Sequence, residues 1–289
     1  VKWKINTYNN KSLLGEKVPK IEFEGKTYRD LNKNGKLDVY ENSSFSIEER
    51  VEDLISQMTI EEKAGSMFIT MIGVNNDGTL MERPSFSDPF SFLMNSSSEM
   101  IAKKSMNHFN IRASHEKEKM LEWHNKIQDM GSRTRLGIPI TIATDPRHGT
   151  SKDFGATIYT PYFSSWPSAL GMGAINDSIL TKKFGKIVRE EYKSLGIRLA
   201  LGPMADTSTE PRWARVNGTF GENAEINARL TAAYIIGLQG DSLDKSSVAA
   251  MVKHFPGSGP VDGGKDSHFP PGLQSYKGNN FDYHLIPFK

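Results

Sequence analysis

The stretch Leu136-Gly137-Ile138-Pro139-Ile140-Thr141-Ile142-Ala143 decides the fold class, because it is apolar and is followed at once by the polar stretch Thr144-Asp145-Pro146-Arg147-His148-Gly149. A short apolar run bounded by Gly and Pro predicts a buried strand. The same order returns at 197–202, which leads into Asp206, and at 248–252, which leads into Lys253 and His254. Helices predicted at 176–195 and 222–238 separate these strands. Strand, loop and helix in repetition indicate parallel strands with helical crossovers.

These repeats predict an α/β protein, a (β/α)8 TIM-barrel-like domain that is incomplete in this chain. The predicted barrel segment, 46–289, begins with capping boxes at Ser46 and Thr59, a strand at 65–72 and a long loop at 73–98; a further helix is expected at 116–134. Polar groups follow each strand after residue 137, as at the C-terminal rim of a barrel. A doubly wound open sheet is the rival fold, but it favours a glycine-rich turn after its first strand, and Gly65 precedes that strand.

Residues 1–45 are predicted to form an N-terminal arm, in which 21–28 is a short hairpin or an extended segment and 30–41 is a calcium loop. Oxygen-bearing side chains occupy positions 1, 3, 5, 9 and 12 of the EF-hand pattern, and glycine occupies position 6. A bound calcium ion is expected to be structural, and an Asn/Asp-rich turn without an ion is the alternative. The predicted ligands, with position 7 contributing its carbonyl, are Asp30, Asn32, Asn34, Lys36, Asp38 and Glu41.

The composition narrows the function classes. The 289 residues include 36 Lys and Arg against 34 Asp and Glu, so a net charge of +2 gives no electrostatic footprint for nucleic acid. No run of 18 apolar residues is present, so no membrane span is expected. The lack of cysteine excludes disulfides and thiolate metal sites, and it fits a periplasm as well as a cytosol. We expect a periplasmic or secreted protein without excluding a cytoplasmic one, and the sequence leaves a homodimer open.

The polar groups at the strand ends form one candidate site, whose members are Asp145, Arg147, His148, Asp206, Arg212, Arg215, Lys253 and His254. Carboxylates beside cations can accept from and donate to many hydroxyls, and Trp166 and Trp213 could stack on a sugar ring. A phosphate cradle around Gly257 is less favoured, because Asp266 follows Lys265 where a Ser or Thr is needed. A metal hydrolase would need clustered His ligands, and no His-x-His occurs. No organic cofactor is expected.

Three motifs of this set resemble glycoside hydrolase family 3, the β-glucosidase-type enzymes, in their N-terminal catalytic domain. Asp145-Pro146-Arg147-His148-Gly149 is similar to the family's Asp-x-x-His-Gly. Pro211-Arg212-Trp213-Ala214-Arg215 is similar to Pro-Arg-Trp-Gly-Arg, with Ala214 in place of Gly. Lys253-His254-Phe255 matches the Lys-His-Phe signature. Order and spacing agree from about Ser46 to the end of the chain.

The resemblance implies that Asp145, Arg212, Lys253 and His254 hold the hydroxyls of the −1 sugar, with Arg147, His148 and Asp206 as further candidates. It implies a retaining enzyme that acts on terminal non-reducing β-D-glucosides with two carboxyl groups. Family members that act on N-acetylglucosaminides carry a histidine-containing loop of a different pattern after the Lys-His strand. We recognise no such loop here, so glucosides or xylosides are the expected substrates.

We identify no catalytic residue in this chain. Its acidic residues after His254 are Asp262, Asp266 and Asp282, and none lies in the Ser-Asp-Trp-like context of the family's nucleophile. Asp282 is followed by the aromatic Tyr283, but it is read as the cap of a helix. The nucleophile Asp and the acid/base Glu are therefore expected after Lys289, in the rest of the polypeptide or in a second chain that completes the barrel. This chain alone is expected to be inactive. The alternatives are a β-xylosidase of the same family and a calcium-stabilised carbohydrate-binding protein without hydrolysis.

Overall fold

The computed structural model describes residues 10–86, 88–150, 158 and 160–289. The first nine residues of the predicted arm and most of the loop after Gly149 lie outside this description. The chain divides into two compact units, Val1–Thr141 and Ile142–Lys289. None of the described helices is long and apolar enough to span a membrane.

The first unit starts with the predicted hairpin, in which β1 (Lys20–Phe23) pairs antiparallel with β2 (Lys26–Arg29). Two short helices, α1 (Ile47–Gln57) and α2 (Ile60–Ser66), follow the loop at 30–41. Ser46 and Thr59 each form the capping box that the sequence predicts, because a side-chain oxygen at the cap accepts an N–H that has no partner within the helix.

A parallel strand pair and one long helix complete the first unit. Strand β3 (Ile69–Ile72) pairs in parallel with β4 (His108–Ile111), and α3 (Lys117–Ser132) buries Trp123 and Ile127. Helix α2 extends to Ser66, so the strand predicted at 65–72 begins later, at Ile69. Strand β4 was not predicted, because it lacks a continuous apolar run: His108 and Asn110 alternate with the buried Phe109 and Ile111.

The second unit has three parallel strands in chain order. They are β5 (Thr141–Thr144), whose last three residues belong to this unit, β6 (Ile197–Ala200) and β7 (Ala249–Ala250). The crossover from β5 to β6 holds α4 (Ala169–Ile175) and α5 (Ser178–Ser194). The crossover from β6 to β7 holds α6 (Ala224–Gln239), and α7 (Phe281–Leu285) lies near the end. The strand–helix alternation is confirmed, although α4 falls in a region read as loop and β7 keeps only two residues of the predicted run.

Helices α5 and α6 pack closely because glycines face each other at their crossing. A methyl group placed on Gly237 would lie 2.5 Å from the carbonyl oxygen of Lys182, and one on Gly185 would lie 2.5 Å from that of Tyr234. These are backbone atoms, which cannot move aside as a flexible side chain can. The two glycines thus set the separation of the helices on which the strand-end loops rest.

The close contact of α5 with α6 predicts that a larger residue at the crossing destabilises the protein. Gly237→Ala should destabilise the protein by about 1–3 kcal/mol, because the added methyl group overpacks a backbone contact and outweighs the better helix propensity of alanine. Urea denaturation followed by circular dichroism measures the change. Gly15→Ala is the matched control, since its methyl group would meet its nearest neighbour at 3.4 Å. Equal stabilities for the two variants would contradict this packing.

Candidate functional site

The carboxyl ends of β5, β6 and β7 carry the charged residues of the site. Asp145 follows β5, Asp206 follows the Gly202–Ala205 segment after β6, and Lys253 and His254 follow β7. Because parallel strands end at the same edge of a sheet, their C-terminal residues lie close together. The backbone strengthens this edge, since the N–H of Ala205 donates to the carbonyl of Lys253 at 2.7 Å.

Lys253 and Asp145, which were both predicted to lie at this edge, form an ion pair there. The ammonium Nζ of Lys253 lies 2.6 Å from Oδ1 of Asp145. The lysine side chain is 16% exposed and the aspartate side chain 22%, so solvent or a ligand can reach both. A charge-assisted hydrogen bond of this kind offers donors and acceptors to a ligand rich in hydroxyl groups.

His254 is held from both sides of its ring. Its Nδ1 lies 2.9 Å from Oδ2 of Asp206, and its Nε2 lies 2.9 Å from Nη2 of Arg215. The guanidinium of Arg215 also lies over the Trp213 ring, 5.7 Å from the centroid, and 4.0 Å from Oδ2 of Asp266. Arg215, which we grouped with the strand ends but did not assign to the subsite, is thus the arginine that reaches His254.

Arg212, by contrast, is not brought into this cluster. Its side chain is 70% exposed and pairs with Oε2 of Glu210 at 2.6 Å. The bidentate bond from Arg212 lowers the pKa of Glu210 to about 2. This arrangement therefore does not support the predicted role of Arg212 as a sugar ligand, because its guanidinium is paired with Glu210.

Arg147 and His148 are both buried among protein groups. Arg147 donates to the Thr144 hydroxyl at 2.7 Å and to the Thr160 hydroxyl at 3.0 Å. The His148 ring stacks on Phe163, with centroids 5.0 Å apart, and its Nε2 lies 2.7 Å from Glu191. Both residues, which we listed as further sugar-binding candidates, therefore stabilise the loop after β5.

Glu191 keeps its charge in this half-buried position. Burial raises the pKa of its carboxyl, but hydrogen bonds from His148 and from the Ser164 hydroxyl and N–H outweigh burial and lower the pKa overall. The Glu191 carboxylate on α5 thus binds His148 and Ser164 in the loop after β5. These bonds hold the part of the chain from which Asp145 projects.

The two tryptophans that we expected to stack on a sugar are engaged elsewhere. Trp213 is 2% exposed, and its indole N–H donates to Asp266 at 2.7 Å. Trp166 is half-buried against Phe184, with centroids 4.8 Å apart, and donates to the Ser164 hydroxyl. The Trp213 ring is therefore a support for Arg215 and not a stacking surface for a ligand.

The loop after β7 holds a pair, Asp266 and His268, that was not predicted from the sequence. Asp266 accepts from the backbone N–H of His268 at 2.9 Å and lies 2.5 Å from its Nδ1. The His268 side chain is 65% exposed. Burial raises the pKa of Asp266, but these bonds and that from Trp213 prevail and lower it to about 2. A carboxylate that orients an accessible imidazole is an arrangement able to exchange a proton. The spacing Asp-x-His was the available signal, and we dismissed Asp266 because no aromatic residue follows it.

The loop at 30–41 has the predicted turn but not a converged metal site. Gly35 has a φ of +78°, as the sharp turn requires, and Asp30 accepts the N–H groups of Asn34 and Gly35 at 3.1 and 2.9 Å. Glu41 accepts backbone N–H groups with both oxygens. Among the described residues, no three His, Cys, Asp or Glu side chains come together as ligands of one metal ion.

With this geometry established, the class of protein is clear: it is a parallel α/β protein whose charged site lies at the carboxyl ends of its strands. The family model for the glycosyl hydrolase family 3 N terminal domain matches residues 59–289. The chain belongs to glycosyl hydrolase family 3, as the three motifs indicated.

Named relatives agree with this assignment. Beta-glucosidase C of Emericella nidulans is 46% identical over 263 residues, which cover 90% of this chain and 41% of the relative. A periplasmic beta-glucosidase/beta-xylosidase of Dickeya chrysanthemi is 39% identical over 279 residues, covering 94% and 41%. The chain thus spans about two fifths of the length of these relatives.

A solved structure supports the fold. The glycoside hydrolase family 3 beta-N-acetylglucosaminidase from Paenibacillus sp. str. FPU-7 matches with a TM-score of 0.63 at 22% identity, over 80% of this chain and 39% of that one. At this identity the likeness concerns the fold alone.

The burial of His284, on α7, predicts how the stability of the protein depends on pH. His284 is fully buried, and neither of its ring nitrogens has a hydrogen-bond partner in the described part of the chain. Burial lowers its pKa, and the nearby charge of Asp206 opposes this only in part. The unfolded chain, with a histidine pKa of about 6.5, therefore takes up the proton first, and stability falls as the pH drops through that value.

Replacing this imidazole should remove that part of the acid sensitivity. We expect the Tm of His284→Leu to fall less between pH 7 and pH 5 than the Tm of the parent protein, as measured by scanning calorimetry in buffers of equal ionic strength. Parallel Tm curves for the two proteins would show that His284 is not the group responsible.

Proposed function

We propose that this chain forms the −1 sugar subsite of an enzyme that hydrolyses terminal non-reducing β-D-glucosides. The ion pair of Lys253 with Asp145 carries the proposal, because both groups are accessible and stand at the strand ends of a family 3 domain. The name of the Emericella relative, a beta-glucosidase, supports the choice of sugar.

The chemistry of the pair suits a sugar ring. A hydroxyl can donate to the Asp145 carboxylate, and a hydroxyl oxygen can accept from the Lys253 ammonium. The pair can therefore hold two adjacent hydroxyls of a sugar at once. The N–H and carbonyl bonds around Lys253 keep the turn in place, since the N–H of Lys253 donates to Pro203 at 3.1 Å. Because this turn is already ordered, no binding energy is needed to order it when the sugar binds.

Retaining hydrolysis would need a nucleophile and an acid/base carboxyl about 5–5.5 Å apart. We propose that both come from polypeptide outside residues 1–289, either the rest of the same chain or a second chain, which would also complete the barrel. The length of the relatives, of which this chain covers about 41%, supports that proposal. The same reasoning makes this chain inactive by itself.

We further propose a periplasmic or secreted location, in line with the name of the Dickeya relative. Cell fractionation with a cytoplasmic marker enzyme tests it.

The activity is tested by assaying the whole protein on aryl β-glucoside, aryl β-xyloside and aryl N-acetyl-β-glucosaminide. The third substrate is included because the loop after β7 does hold a histidine, His268. We expect the highest kcat/KM for the glucoside. No turnover of any of the three, with sugar binding retained, would favour the carbohydrate-binding alternative.

In that assay, Lys253→Ala should lower kcat/KM by about 10- to 150-fold, because a hydrogen bond to a charged group contributes about 1.5–3 kcal/mol to transition-state binding. Lys277→Ala is the control, since Lys277 is 78% exposed and pairs only with the exposed Asp262 in its salt bridge. An unchanged kcat/KM for Lys253→Ala would overturn the subsite assignment.

We also propose that residues 30–41 hold a structural calcium ion, with the ligands Asp30, Asn32, Asn34, Lys36, Asp38 and Glu41. The EF-hand spacing and the Gly35 turn support the proposal. The present hydrogen bonds oppose it in part, because Asn32 and Asn34 donate to Asp38 and the oxygens of Glu41 accept backbone N–H groups. Ion binding would therefore require these side chains to turn.

Calcium should raise the Tm of the whole protein relative to EGTA, because an ion that binds only the folded state stabilises it by about 2.7 kcal/mol at a hundredfold excess over Kd. Asp38→Asn should reduce that difference, and Asp77→Asn, in another loop of the same unit, should not. Identical Tm values in calcium and in EGTA for the parent protein would disprove the site.

A further inference from the structure

The carboxylate of Asp206 is completely buried beneath the turn that carries Lys253 and His254. Its exposed fraction is 0%, so no ligand reaches it, although the sequence placed it among the sugar-binding candidates. An ionised carboxylate at such a position is stable only when hydrogen bonds replace its water shell.

The hydrogen bonds that satisfy Asp206 come from the turn itself. Its Oδ1 accepts the N–H of Ser258 at 2.6 Å, and both oxygens lie 3.2 Å from the N–H of His254. Its Oδ2 lies 2.9 Å from Nδ1 of the same histidine. The side chain thus binds the first and last parts of the 254–258 turn and the ring at its start.

Helix α6 fixes the residue from the other side. The side-chain amide of Asn227, which is fully buried, donates to the carbonyl of Asp206 at 2.9 Å and to that of Ala205 at 3.2 Å. The helix therefore holds the backbone from which the Asp206 carboxylate projects.

These contacts determine which ring nitrogen of His254 carries the proton. A carboxylate only accepts, so Nδ1 carries the hydrogen that faces Asp206. A guanidinium only donates, so Nε2 facing Arg215 carries a lone pair. His254 is then a neutral imidazole with Nδ1–H.

We infer that Asp206 is a positioning residue, which orients His254 and fixes its Nδ1–H tautomer so that Nε2 serves as a hydrogen-bond acceptor in the subsite. The inference rests on the proposed function in one respect, that His254 meets a sugar. In this structure Nε2 accepts from Arg215, so a sugar hydroxyl that binds this nitrogen has to take the place of that guanidinium. Like the guanidinium, the hydroxyl has to donate its hydrogen. Lys253, beside it, can only donate, so the two neighbouring residues impose opposite directions on the hydroxyls they hold.

The tautomer is measurable without any activity. In the whole protein labelled with 15N-histidine, two-bond 15N–1H correlation spectra distinguish Nδ1–H from Nε2–H rings, and His254→Gln assigns the signal. We expect the Nδ1–H pattern for His254. An Nε2–H pattern or a doubly protonated ring at neutral pH would overturn the inference, whatever the enzyme assay gives.

The variant Asp206→Asn tests the cause. Its amide NH2 cannot face the N–H of Ser258, because a backbone group cannot exchange its role, so it should face Nδ1 of His254. The ring then has to change to Nε2–H, which opposes the donor of Arg215. We expect the His254 signals to shift to that pattern or to broaden, and kcat/KM to fall about 10- to 100-fold, by analogy with partners that orient metal-binding histidines.

Asp262→Asn is the matched control, since the same chemical change there affects a carboxylate that is 54% exposed. It should alter neither the histidine spectrum nor kcat/KM. Retention of the Nδ1–H pattern in Asp206→Asn would overturn the positioning role. A shifted pattern with unchanged turnover would support the role of Asp206 and instead refute His254 as a sugar contact, so the two failures are distinguishable. If Asp206→Asn does not fold, the spectrum of the parent protein decides.

Discussion

The ion pair of Lys253 with Asp145 joins the first and third strand ends of the second unit across the strand between them. Each of these charges would be costly to hold half-buried without the other. Their pairing requires the three parallel strands to end together, which the crossover helices bring about. The close glycine contact of α5 with α6 is thus connected to the site, because it places the helices that support the loops.

The buried groups around this pair are organised so that each charge faces an opposite charge or a hydrogen-bond donor. Asp206 is surrounded by N–H groups, and Asp266 accepts from Trp213 and His268. Arg215 lies between the Asp266 carboxylate and the His254 ring. The result is a buried layer beneath a partly exposed surface, where a ligand can reach Lys253, Asp145 and the His254 ring.

The sequence predicted the strand-end position of Asp145 and Lys253 because apolar runs and parallel topology determine it. It did not distinguish Arg212 from Arg215, since both lie in an irregular loop where no periodicity sets side-chain direction. Burial of Trp213 and its bond to Asp266 decide that direction, and these are contacts between distant residues. The sequence could not show the burial of His148 for a similar reason, because its partner Glu191 comes from a helix 43 residues further along. Strand β4 had a readable signal, the alternation of His108 and Asn110 with apolar residues, which we did not use.

The motif Lys-His therefore combines two different kinds of residue. Lys253 faces a carboxylate that is itself accessible, so a ligand can enter the pair and share its hydrogen bonds. His254 faces a carboxylate that no ligand reaches, so its orientation is fixed by the protein before any ligand arrives. In such a site the Lys253 ammonium can adapt to a ligand, whereas the neighbouring His254 ring is a hydrogen-bond acceptor of fixed orientation. Recognition of a sugar then depends on the direction of each hydroxyl hydrogen as well as on its position.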